Sequence, residues 1–203
     1  MPEKSTATLT TYITDMYALI NHGLKAIDRQ AEHLRKKDPH PEALAAVHEF
    51  QRVLRVNMMA LDVRARALGG KATQPLKEVV TTLTGIAAGL ISALRPEAAA
   101  RAIRDDYTFL SHMAIGYLML HTTATGLGDM ETAALAEQGY RDAARLVMRI
   151  DQIIPSLVLQ ALRQDGLPVG PASEQSIMMV RRAWNREAAA NGMSEQPAPG
   201  PAA

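Results

Sequence analysis

From Thr10 to Leu34 the apolar residues Tyr12, Ile13, Met16, Leu19, Ile20, Leu24, Ile27 and Leu34 recur at steps of three and four. That is the spacing of one helical face, and the preceding threonines and serine offer capping oxygens, so a first helix is predicted over 10–34. The segment KKDPHPEA breaks it. Proline at the start of a helix loses only an N–H that would be unpaired there, so Pro41 and Glu42 predict the first turn of a second helix. This helix runs to about Leu68 on a nearly heptad stripe of Leu44, Val47, Gln51, Leu54, Met58, Leu61, Ala65 and Leu68, and the Gly69–Gly70 pair ends it. TQPLKEVVTTLTGIAAGLISAL is diluted by four threonines and two glycines and predicts only a shorter covering helix. Pro96 opens a third helix that ends at Gly126 or Gly128. A fourth occupies about Asp129 to Arg163, with Pro155 near its end. No stretch alternates convincingly enough for a strand. The pattern predicts an all-α chain with a disordered N-terminus over 1–9 and a helical bundle over 10–165. A linker with a C-terminal amphipathic helix follows over 166–191, then a disordered Pro/Ala/Gly tail over 192–203.

Composition narrows the partners more than the fold. A chain of 203 residues, 47% hydrophobic, can bury one substantial core. Lysine and arginine (22) nearly balance aspartate and glutamate (21), so no global field argues for nucleic acid or an anionic membrane. Cysteine is absent, which excludes disulfides, thiolate metal sites and thiol nucleophiles. The N-terminus lacks an apolar signal core, and no apolar run approaches the roughly 18 residues of a membrane span. The expectation is a soluble, cytoplasmic protein that does not enter membranes.

The stretch SHMAIGYLMLH, residues 111–121, places His112 and His121 on one apolar helix. At about 100° per residue, their separation of nine positions amounts to half a turn, so the two rings leave opposite faces and cannot share a metal. The expectation is a pair of partly buried, hydrogen-bonded structural histidines. A carboxylate-bridged di-metal bundle requires Glu-x-x-His pairs, whose spacing puts both ligands on one face, and none occurs in the chain. His-Glu-x-x-His, the Gly-rich phosphate loop, the Gly-x-Ser-x-Gly elbow and the dinucleotide fingerprint are missing as well.

ITDMYALINHGLKAI, ALGGKATQPLKEVV, MAIGYLMLHTTATGLGDMETAALAEQ and IDQIIPSL follow one another in an order that resembles the ferritin-like stress proteins of the YciE/YciF type. The resemblance covers roughly residues 10–163, and its most specific part is the IGY…LGDMETAALA segment. It implies a ferritin-like four-helix bundle with a short extra helix between helices two and three, commonly a homodimer, and in relatives with a metal site di-iron or di-manganese chemistry. The ligands do not carry over. At the positions where the resemblance implies metal-binding glutamates and histidine, this chain has Ile20, Arg52, Arg55, Met113, Asp142 and Ala143, and only Asp142 keeps a carboxylate. Buried carboxylates without a dication repel one another and are costly to desolvate, so their replacement by apolar residues follows once metal is abandoned. For Arg52 and Arg55 the expectation is that they extend to water along their stems, with inward pairing to Asp106 or Asp142, or an anion site, as the alternative.

The C-terminal segment joins Ile177, Met178, Val180, Arg181 and Trp184 in an apolar and basic helix beyond the bundle. It suits docking on its own bundle or on a protein partner such as a second subunit. The eleven methionines are most simply read as core filling. The reading is a metal-free, cofactor-free bundle acting as a structural or binding protein linked to stress, rather than an enzyme. Two alternatives remain: a ferritin-like oxidase or peroxide-handling enzyme using His22, His48, His112 and Asp142, and a small-molecule carrier holding its ligand in the emptied bundle centre.

Overall fold

A computed structural model describes residues 2–36, 40–70 and 98–192. They form five helices: α1 (Glu3–Lys36), α2 (Pro41–Ala67), α3 (Ala98–Gly126), α4 (Met130–Gln164) and α5 (Ser173–Gly192). No strand occurs among the described residues, and no helix there is long and apolar enough to cross a membrane. The expected covering helix within 73–94, Pro96 and the final eleven residues from 193 onward lie outside the described residues.

Helix boundaries follow local chemistry. α2 is capped by His40, whose Nδ1 accepts from the Ala43 N–H at 3.3 Å, with Pro41 at the first helical position. It closes through Gly69 at φ 80°, with the Gly70 N–H returning to the Ala65 carbonyl at 2.9 Å. α1 starts at Glu3, not near Thr10, which corrects the expectation of a disordered 1–9. Thr6, Thr8, Thr10, Thr11 and Thr14 each donate a hydroxyl to the carbonyl four residues back, and fully buried Leu9 ties the early turns to the core. α4 runs through Pro155 to Gln164.

The four long helices pack as neighbours in the order α1, α2, α4, α3 and back to α1. Side-chain contacts fix their directions. Asp28 on α1 accepts from Gln51 (2.6 Å) and Arg55 (2.8 Å) on α2, while Thr10 lies against Gly70, so α1 and α2 are antiparallel. Met16 meets Gly116 and Gly23 meets Phe109, so α3 descends as α1 ascends. Arg64 with Asp129, Asn57 with Asp142, and Glu42 with Ser156 set α2 antiparallel to α4. α1 and α4 thus point one way and α2 and α3 the other. The chain leaves α2 at one end of the assembly and resumes in α3 at the opposite end.

Among the described residues the core is a single apolar cluster. Its largest fully buried side chains include Tyr117, Phe50, Ile13, Ile20, Leu54, Leu61, Leu110 and Met113. The expected stripe on α2 is half right: Val47, Leu54, Leu61 and Ala65 are buried, but Leu44, Gln51, Met58 and Leu68 lie at its margin, while Phe50, Val53, Asn57 and Arg64 are buried in their place. α5 packs on α4, and the Trp184 indole donates to Asp151. The C-terminal helix therefore docks on its own chain, leaving Met178, Met179, Arg181 and Arg182 exposed and Ile177 and Val180 half-buried.

Candidate functional site

Two hydrogen-bonded polar groups of the interior lie along one row of α2, and buried Asp106 on α3 stands apart from them. Phe50, Asn57 and Arg64 follow at heptad spacing, so Asn57 and Arg64 face α4 from a row that is otherwise apolar. The Asn57 amide donates to the Val53 carbonyl at 3.0 Å and to Asp142 Oδ2 at 3.1 Å, and its oxygen accepts from the Tyr117 hydroxyl at 2.7 Å. Asp142 Oδ1 also accepts from Gln138 and Arg145, each at 3.3 Å. A hydrogen-bonded chain therefore runs from a phenol in the centre of the core to a carboxylate at its edge. Burial, and then the charge of Asp142, push the Tyr117 phenol upward, so it stays a neutral donor. Tyr117 reaches Asn57 because Gly139 leaves room for its ring: a Cβ there would stand 2.3 Å from Tyr117 Cζ.

One heptad along, Arg64 ties α2 to the turn between α3 and α4. Its Nη2 donates to both carboxylate oxygens of Asp129, at 2.7 and 2.6 Å, its Nε donates to Thr132 Oγ1 at 2.7 Å, and its Nη1 donates to Glu131. Asp129 also caps α4 by accepting from the Thr132 N–H at 3.1 Å, directly after Gly128 at φ 75°. Burial raises the Asp129 carboxyl, but hydrogen bonds from Arg64 and Thr132 outweigh it and hold the group below the usual carboxylate range. The LGDMET segment, the most specific part of the resemblance, is thus a hairpin clamp.

Both polar groups open onto a groove of about 440 Å³ between α2 and α4, walled by Val56, Met59, Ala60, Val63 and Leu135. It has an apolar wall with an acceptor, Asp142, at one end and the Arg64–Glu131 pair at the other.

The six positions where the resemblance implies metal ligands are split by the fold. Ile20, Met113 and Ala143 are each 0% exposed and bring only a thioether and hydrocarbon to the core. Arg52 and Arg55 are exposed, and the partner of Arg55 is Asp28, not Asp106 or Asp142. Asp142 alone has a carboxylate at the margin, and its basic partner is Arg145. These residues do not fit a di-metal centre. The alternative ligands do not converge either: His48 and His112 are exposed, His22 is half-buried, and no group of three His, Asp or Glu among the described residues is placed to hold an ion. His112 is therefore more open than expected, while His121 is half-buried.

Asn57, Tyr117 and Arg64 were not singled out by the helical pattern, which marked Asp129 only as the start of a helix. The available signal was the row Phe50–Asn57–Arg64, where two polar residues continue an apolar heptad. Comparison of the chain with family models, with curated proteins and with solved structures finds no match.

Proposed function

We propose that this chain is a metal-free, ferritin-like helical bundle that works by binding or scaffolding, not by catalysis, as a stress-linked protein of the cytoplasm. The observation that carries the reading is the trio Ile20, Met113 and Ala143, fully buried where a di-metal centre would need carboxylates and histidines. The ferritin-like part is supported by the direction of the helices, with α2 and α3 pointing the same way, since that pattern requires a long crossing connection between the second and third helices. The small-molecule carrier finds less support, because Ile20, Met113, Tyr117 and Leu110 fill the centre and the groove between α2 and α4 lies outside it. The test is metal analysis of protein purified without chelators. Substoichiometric iron, manganese and zinc are expected, with little rise in melting temperature on adding them, because a ligand that binds the native state must stabilise it. Two tightly held ions per chain would overturn the reading.

A further inference from the structure

α5 is held differently from the other helices. α1 to α4 each bury a stripe of side chains in the core, whereas no side chain of α5 as far as Trp184 is buried. Ser173, Ile177, Val180 and Trp184 recur at steps of three and four, so they share the face that α5 turns to α4. The first three of these are only half-buried, and Trp184 is 56% exposed. Because Trp184 reaches Asp151, well before α4 ends at Gln164, α5 runs back along α4, and Ile177, about two turns before Trp184, comes level with Val158. Val158 stays 41% exposed with α5 in place. The described seam therefore rests on two half-buried aliphatic side chains and the indole hydrogen bond. Even that bond is made to a carboxylate whose burial is costly: desolvation raises Asp151, and the Trp184 indole offsets only part of it.

Two properties of the chain let this seam part without the core. None of residues 165–172 is buried, and the stretch contains Gly166 at φ 76°, Pro168, Gly170 and Pro171, so packing does not anchor the connection. A lone helix of the length of α5 is marginal in water, so it has little helicity to keep once it leaves α4. We propose that α5 is a detachable arm, which leaves α4 and melts as a unit while α1 to α4 stay folded. Opening uncovers Asp151 and Val158 and frees the apolar stripe of the arm in the same step, so the fold holds a second accessible surface in reserve. The inference goes beyond the scaffold reading and stands whether or not the bundle is metal-free.

Trp184 is the only tryptophan of the chain, so its emission reports α5, while helicity reports mainly α1 to α4. In a denaturant titration of the full chain the emission change should come first, at a midpoint clearly below that of helicity. Ile177→Asp with Val180→Asp should give the solvent-exposed emission with no denaturant present and leave the midpoint of helicity where it is. If emission and helicity change together in the wild type, α5 belongs to one cooperative unit with the core and the proposal falls. A double variant that keeps the wild-type emission, lowers the helicity midpoint or fails to fold overturns it as well.

Discussion

Asp129, at the turn between α3 and α4, and Asp106, in the early part of α3, are both buried carboxylates, and they behave in opposite ways. Asp129 sits at the start of α4 with both oxygens held by Arg64 and with Thr132 donating to it, and it stays ionised well into acid. Asp106, on α3, is buried with its Oδ2 unpartnered, and desolvation, opposed only by Gln30 and reinforced by the charge of Asp105, pushes it up to about 8. Both are shielded from solvent, but Asp106 lies far deeper in the protein, so desolvation dominates there, while at Asp129 the partners outweigh a smaller desolvation. The guanidinium of Arg64 and the start of α4 supply those partners, and among the described residues Asp106 has no cation beside it.

The largest effect expected is from breaking the satisfied member. Arg64→Met leaves Asp129 buried without its cation, and loss of one partner of such a pair costs about 3 to 5 kcal/mol. Denaturant titration should show that loss, and Arg64→Met combined with Asp129→Asn should recover part of it. If the single variant is as stable as the wild type, the clamp does not hold the hairpin.

The unsatisfied member sharpens the comparison through pH. The folded-state value of Asp106 lies above its unfolded one, so between about 4 and about 8 the native state holds a proton that the unfolded chain has released. Stability therefore falls as pH rises through that window, by at most about 1.4 kcal/mol per unit from this group. Asp106→Asn, a neutral side chain of the same shape, should flatten that part of the melting-temperature profile and leave the variant more stable than the wild type near pH 8. Asp129 contributes with the opposite sign: its stabilisation is present above its unfolded value and is lost as pH falls through the lowered folded one. An Asp106→Asn profile that parallels the wild type from pH 4 to 8 would remove the contrast.

The smallest effect is expected at two solvent-exposed cations. Arg52 is exposed, and Arg55 pairs with Asp28 where both side chains are about half exposed, at 53% and 44%. Arg52→Gln with Arg55→Gln should change stability by only about 0.5 kcal/mol, the range of surface substitutions. A loss of several kcal/mol would mean that these arginines are as deeply engaged as Arg64.

Spacing and composition determined the helices of this protein. Steps of three and four, Pro41 at one end and Gly69 at the other fix α2 wherever the helix is placed, because caps and periodicity are local properties. Asp129 as the start of α4 was equally legible, since a short acid after glycine terminates one helix and begins another. What only the tertiary structure decided is which neighbour each face meets. Asn57 and Arg64 read locally as interruptions of an apolar row; α4 turns them into partners of Asp142 and Asp129, and Gly139 admits the ring that completes the chain to Tyr117. The threonines before Leu9 read as a loose start, and become helix only because Leu9 finds the core. Hydrogen bonds between side chains on different helices depend on the packing angle and stagger of whole helices. These are set by the sum of many contacts, so no window of the sequence contains them.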